Sequence, residues 1–405
     1  MKLLLVSGVV LIAVSANVRA AERFVQDRFA IGFWVDPPAD ARMDDSYREI
    51  AEANFTLVLG SFGANSPDTV ARQLELCRKY DLKVLVWGGG DPSTFPDDSV
   101  CWGYMVRDEP SADDFPALRE RVNAIRAARP GKMAYINLFP SHAGPKRLGT
   151  PTYDEHVARF VREVCPEVLS MDHYPRFAPG VDGRDAYCED LAVMRTQSLA
   201  GGIPFWNFFN TMPYGPHTDP TEAQLRWQIY TSLAYGAKGV LYFCYYTPFS
   251  DEFPKGGAII GRDGRKTRHY EQAKRINGAV KNLGPALMKL TSMGVYRVKP
   301  DDDPAAVLAG TPLKNLTRAD HDPKPDYLIG VFAHEDGRRA VMLNNYQFAY
   351  TAWPTVEFDA EPAQVIEVDQ QTGQEHPVID DSPDMDGLQI SLDAGEGRLF
   401  LLPPK

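Results

Sequence analysis

The segment Cys101–Ser111 reads CWGYMVRDEPS: an apolar run closes on two adjacent acids, Asp108 and Glu109, before Pro110 ends the extended stretch and Ser111 opens a helix. Two carboxylates where a buried strand ends are suited to general acid–base work. If both are partly enclosed, repulsion from Asp108 raises the pKa of Glu109, so one carboxyl keeps a proton while its neighbour is charged. A protonated and an ionised carboxyl are the groups needed to break a glycosidic bond. In the competing structural role, Asp108 pairs with Arg107 and Glu109 caps the following helix.

A second cluster, Ser170-Met171-Asp172-His173-Tyr174-Pro175, also ends an apolar run on an acid. Asp172 is the expected second catalytic carboxylate, with Asp36 as the other candidate, and Asp108 tunes Glu109 or orients substrate. Aromatic and amide side chains gather at other strand ends: Trp34 by Asp36, Trp87, Trp206 with Asn207 and Asn210, and Tyr245-Tyr246. Together with His173 and Tyr174 they form the expected substrate-binding set. Flat rings take the C–H faces of sugars, and amides and carboxylates take the hydroxyls. Alternation along a strand lets only about half of such residues face inward.

These residues need a scaffold that brings strand ends together. Runs at Phe29–Val35, Thr56–Phe62, Lys83–Trp87, Cys101–Val106, Met133–Phe139, Val168–Met171, Pro204–Phe208 and Gly239–Tyr245 are continuously apolar, as strands covered on both faces are. Helical patterns fall between them. One opens at Ser66-Pro67, one at a Ser111/Asp114 capping box, and others span Tyr153–Val164 and Thr221–Tyr235. Eight β/α units over roughly 260 residues predict a (β/α)8 TIM barrel, whose chemistry sits at the C-terminal strand ends. A doubly wound sheet would carry a Gly-rich phosphate loop after its first strand, and Gly32-Phe33-Trp34 is not one. The barrel is expected over residues 28–290. Over 291–405, short alternating runs between Asp, Gly and Pro clusters (Tyr327–Phe332, Arg339–Leu343, Ala363–Val368, Leu388–Leu392, Arg398–Leu402) predict a small antiparallel β-sandwich.

Residues 1–20 read as a secretory signal: Lys2, an apolar run from Leu3 to Val14, and Val18-Arg19-Ala20 before the cleavage point. The expected product is secreted or periplasmic, with no membrane span. Its net charge of −11 becomes more negative once Lys2 and Arg19 are removed, which argues against nucleic acid. The five cysteines show no CxxC spacing, and mostly buried free thiols are expected, with room for one bridge at most. His142, His156, His173 and His217 are too dispersed to imply a metal, so no cofactor is expected.

The DEP triplet, the DHYP cluster, and the run from Leu225-Arg226-Trp227-Gln228 through Leu233-Ala234-Tyr235-Gly236-Ala237-Lys238-Gly239-Val240-Leu241-Tyr242-Phe243 resemble the large retaining barrel clan of glycoside hydrolases. Within it, family 42 β-galactosidase-like members with a C-terminal β domain are the nearest in pattern. The resemblance covers the barrel, about two-thirds of the chain. It implies that Glu109 is the acid/base residue ending the fourth strand, although Asp108 replaces the clan's usual Asn. It also implies a nucleophilic Glu ending the seventh strand, and Ile203–Asn210 contains no acid. Three readings remain open. The first is a hydrolase of O-glycosidic bonds in an oligo- or polysaccharide, with Asp172 or Asp36 opposite Glu109. The second is a substrate-assisted N-acetylhexosaminidase, similar to families 20 and 123, in which Asp108 orients the acetamido group and Tyr245 or Tyr174 holds its oxygen. The third is a non-catalytic glycan-binding barrel.

Overall fold

Apolar runs of four to seven residues become parallel strands in the computed structural model, which describes residues 22–317 and 326–405. The expected signal over 1–20 lies outside the described residues. The strands are β1 (Ala30–Phe33), β2 (Leu57–Leu59), β3 (Lys83–Trp87), β4 (Cys101–Asp108), β5 (Met133–Leu138), β6 (Leu169–Asp172), β7 (Phe205–Asn210) and β8 (Gly239–Phe243). From β2 to β8 each strand pairs with its successor, and β8 pairs with β1. Thr56 joins the β1/β2 seam. Its amide donates to Ile31 O at 2.9 Å, while its hydroxyl accepts from Ile31 N–H at 2.8 Å and donates to Phe29 O at 3.1 Å.

Helices α1 (Met43–Glu52), α2 (Pro67–Lys79), α3 (Phe115–Ala128), α4 (Gly144–Leu148), α5 (Tyr153–Val164), α6 (Arg184–Gly201), α7 (Glu222–Ala234) and α8 (Arg268–Met288) cover the outside. The eight-unit expectation needs one correction: the β3–β4 connection carries only the 3-10 turn Pro92–Thr94. Three glycines and two prolines between Gly88 and Pro96 disfavour a helix there. Arg129 fastens the loop instead, donating to Phe95 O at 2.8 Å and Ser93 O at 2.6 Å. Inside the barrel, Leu57, Leu59, Leu85, Met105, Tyr135, Trp102, Trp206 and Phe208 form a packed cluster.

The C-terminal domain has strands β9 (Leu290–Val298), β10 (Leu313–Thr317), β11 (Tyr327–His334), β12 (Arg339–Asn345), β13 (Thr355–Phe358), β14 (Ile366–Val368), β15 (Glu375–Pro377), β16 (Leu388–Gln389) and β17 (Gly397–Leu402). A six-stranded sheet ordered β9-β11-β12-β17-β14-β15 faces a three-stranded sheet ordered β10-β13-β16 across a core that includes Ile329, Val341, Val356 and Phe400. The architecture is therefore a TIM barrel followed by a β-sandwich. Helix α7 is apolar on every side because it is sandwiched between barrel and sheet: Leu225, Trp227, Ile229, Tyr230 and Leu233 are all buried. The approach is close enough that a Cβ on Gly330 would lie 2.4 Å from Ala234 O.

Candidate active site

Strand β4 delivers its acids to the barrel mouth through two irregularities. A bulge interrupts its pairing with β5 between Met105 and Arg107. Glu109 then adopts a left-handed φ of 48°, its amide donating to Asn137 O at 2.8 Å. A bulge and a left-handed residue break the alternation that would send neighbouring side chains to opposite faces. Val35 (φ 64°) and Ser61 (φ 109°), just beyond β1 and β2, carry the same unfavourable conformation at the same end of the barrel.

Asn137, ending β5, organises the acids. Its Nδ2 donates to Asp108 Oδ1 at 3.2 Å and to Asp172 Oδ1 at 2.9 Å. Sharing one amide nitrogen holds those two oxygens within about 6 Å of each other. The Asn137 Oδ1 accepts from Ser170 Oγ at 3.0 Å, and Ser170 Oγ lies 2.8 Å from the Tyr135 hydroxyl. This buried chain fixes which way the Asn137 amide points, and so keeps its donors on the acids.

Burial, then the charge of Asp108, pushes the Glu109 carboxyl up to about 7, against a pull from Arg147, whose Nη2 lies 3.1 Å from Oε2. Asp172 is raised well above the usual carboxylate range by burial, then by Glu109 and Asp108, with the Tyr174 hydroxyl against it. Asp108 opens to the cleft. The surrounding protein still withholds enough water to raise its pKa, while the Asn137 amide and the Arg107 charge pull it back. All three carboxyls are raised and raise one another, so the cluster resists full ionisation and titrates as a coupled set.

Asp108 stands on the wall of a cavity of about 590 Å³ shared with Trp34, Phe62, Trp87, Tyr135, Asn65 and Arg107. Trp87 is 58% exposed and Phe62 46% exposed, so two large rings face open space. Across the acids, the rings of Tyr174, Tyr214, His217 and Phe243 pack on one another. Burial pushes His217 down to about 4, so it is a neutral wall residue at ordinary pH.

The geometry thus gathers Asp108, Glu109, Asp172, Trp34, Trp87 and Tyr174 at one mouth. The other expected binding residues are elsewhere. Asp36 is buried and consumed by structure, accepting from the amides of Phe62, Gly63 and Ala64 and from Gln73 Nε2. It orders the β2 loop and cannot serve as a base. His173 is buried with Nδ1 2.6 Å from Asp190 Oδ2. Trp206 is in the barrel floor, its Nε1 donating to Gln26 Oε1 at 3.0 Å. Asn207 points outward to Tyr187 and Ser232. Asn210 orders its own turn through Met212 N–H. Tyr245 is fully buried and stacks on Phe33, and Tyr246 donates to Arg262 O. The common reason is strand alternation together with the turn after each strand, which send these side chains outward, downward or into the loop. Asn137, Tyr135 and Tyr214 were not expected. Asn137 was detectable as the one amide near the end of the apolar run Met133–Phe139.

Among the described residues no His, Cys, Asp or Glu cluster has metal-site geometry, no helix is long and apolar enough to cross a membrane, and all five cysteines are free.

No protein-family model matches the chain, and no curated protein matches it in sequence. Its fold is similar to solved glycoside hydrolases. A β-galactosidase from Bacillus circulans sp. alkalophilus aligns with TM-score 0.59 at 10% identity, covering 93% of this chain and 99% of that one. A catalytic mutant of a glycoside hydrolase family 42 β-galactosidase from G. stearothermophilus aligns with TM-score 0.60 at 8% identity, covering 94% and 99%. The β-galactosidase of the haloarchaeon Halorubrum lacusprofundi gives 0.55 at 10% identity, covering 92% and 98%.

Proposed function

We propose that the chain is a glycoside hydrolase that cleaves O-glycosidic bonds of an extracellular or periplasmic glycan, with Glu109 as the general acid. One observation carries the reading: Glu109, poised near pH 7, stands beside Asp108 and Asp172, which one amide holds within hydrogen-bonding reach of itself. A carboxyl with that pKa keeps its proton at working pH and gives it up readily to a leaving glycosidic oxygen. Trp34 and Trp87 offer faces for the sugar rings.

The partner role follows from access to the cleft. Sequence placed it on Asp172. Asp172 is the less exposed of the two and burial raises it well above the usual carboxylate range, whereas Asp108 opens to the cleft with the Asn137 amide on its Oδ1. This favours the substrate-assisted form as the second reading: Asp108 orients a 2-acetamido group, whose oxygen attacks the anomeric carbon while Glu109 protonates the leaving group. With no acid on β7, the substrate's own amide supplies the nucleophile.

The test is release of reducing sugar from paired plain and 2-acetamido glycosides by wild type and Glu109→Gln. Turnover that disappears in the variant supports the hydrolase. Restriction to 2-acetamido substrates selects assistance, and activity on plain hexosides removes it. Glycan binding without turnover in either protein replaces the hydrolase with a glycan-binding barrel.

A further inference from the structure

Among the described residues, Arg107 is a cleft-wall cation held only by a loose ion pair. Its side chain is 55% exposed, and its nearest acid, Asp114 Oδ2, is 3.7 Å away. That oxygen already accepts the Ser111 amide at 3.1 Å as a helix cap. Among the described residues the Arg107 guanidinium makes no hydrogen bond. The contrast with structural arginines is plain: Arg129 holds Ser93 and Phe95 carbonyls, Arg262 holds three carbonyls, and Arg398 holds Glu367, Asp381 and Ser391 O. Arg107 shares its 590 Å³ cavity with Trp34, Phe62 and Trp87.

We propose that this cleft selects an acidic glycan: a uronate ring lies against the Trp34, Phe62 and Trp87 faces with its carboxylate on the Arg107 guanidinium. The planar fork of an arginine matches a carboxylate through two parallel N–H···O bonds, and desolvation between aromatic walls strengthens them. The chain's net charge of −11 opposes a densely charged polymer, so the ligand carries isolated uronates in an otherwise neutral chain. The selectivity rests on the cleft binding glycan and is separable from hydrolysis.

The experiment titrates hyaluronan tetrasaccharide and a xylotetraose carrying a single glucuronate branch, each against its carboxyl-reduced counterpart, into the full-length Glu109→Gln protein by calorimetry. Wild-type turnover is measured on the same compounds. At least one uronate form is expected to bind about tenfold or more tighter than its reduced form, a margin that falls with added salt. Adding Arg107→Gln brings the two forms together, whereas adding Trp87→Ala weakens both alike. Equal affinity for both forms, a preference that survives Arg107→Gln, or binding of neither form overturns the inference. Turnover of neutral glycosides without uronate preference removes the selectivity and leaves the hydrolase. Uronate binding through Arg107 without turnover removes the hydrolase and leaves the selectivity.

Discussion

The barrel has a cavity at each end, nearly equal in size and opposite in construction. The floor cavity, about 640 Å³, is lined by Phe24, Gln26, Glu167, Arg195, Lys238 and Ser292 among others. Its charged groups are tied to neighbours. Arg195 donates to Ser292 Oγ at 2.7 Å, Lys238 to the carbonyls of Leu287 and Leu290, and Glu167 pairs with Arg126. Burial lowers Lys238 to about 8, yet two backbone carbonyls already hold its amine. At the mouth, one amide holds two acids beside a third, Arg107 makes only a loose 3.7 Å ion pair with Asp114, two rings face solvent, and left-handed residues collect. The larger cavity is a joint between domains. Uncommitted titratable groups on strained backbone, rather than volume, mark where chemistry belongs.

The comparison is broken most sharply at Glu109. Glu109→Gln keeps shape and removes the proton, so turnover should fall about 10³-fold or more under the hydrolase reading. Wild-type activity should decline as pH rises through about 7, because the acid must be protonated. Stability of the wild type should fall over the same range. A carboxyl raised from 4.5 to about 7 on folding stabilises the native state at low pH, and that contribution is lost as pH climbs through the folded value. At pH 8 the Gln variant should therefore be more stable by about 1–2 kcal/mol, allowing for water at its partly exposed side chain. Near pH 4 the two proteins should unfold alike. Denaturant melts at both pH values decide this, and a Gln variant less stable at pH 8 would count against a strained, desolvated acid.

At the floor the pattern reverses. Trp206 is fully buried between Trp102 and Tyr135, with its indole N–H on Gln26. Trp206→Ala should cost about 3–5 kcal/mol of stability through the cavity it leaves. In protein that remains folded, the pH midpoint set by Glu109 should not move. A shifted pH profile in this variant would mean that the two ends are coupled.

Much of this contrast was legible in sequence, for reasons that differ by residue. Continuous apolar runs located the barrel strands because both faces of a parallel sheet are covered, and the DEP triplet located the mouth because Pro110 ends β4 there. Facing was not legible. Trp206 and Asn207 are neighbours in one strand, yet one fills the floor and the other reaches the helices. Asp36 resembled a catalytic acid until three loop amides converged on it from Phe62–Ala64, a contact across the fold. In the sandwich, β9 escaped notice because its LTSMGVYRV sequence is half polar and bulged between Ser292 and Gly294.

Asn137 sharpens the comparison within the mouth itself. Asn137→Ala removes donors from two acids at once and leaves the Ser170 hydroxyl with Tyr135 alone, which should cost about 1–3 kcal/mol. As a positioning residue it should also lower turnover and move the pH midpoint, since the charge of Asp108 would no longer be held by its amide. Asn137→Asp retains the volume but places a further acid among three, and should shift the midpoint further than Ala. An unchanged pH profile in both variants would reduce Asn137 to a packing role.

The smallest expected effect belongs to Trp87, and its smallness is informative. At 58% exposure its ring contributes little to the core, so Trp87→Ala should change stability by under about 0.5 kcal/mol. Its face borders the same cavity as Asp108, where an exposed indole has no packing reason to stand. If it stacks on a sugar ring, losing it removes binding shared by ground state and transition state. KM should then rise several-fold while kcat holds. A fall in kcat at constant KM would place Trp87 against the reacting ring, next to the acids. An unchanged KM would confine glycan contact to Trp34 and the deeper wall, and the exposed ring would belong to some other surface.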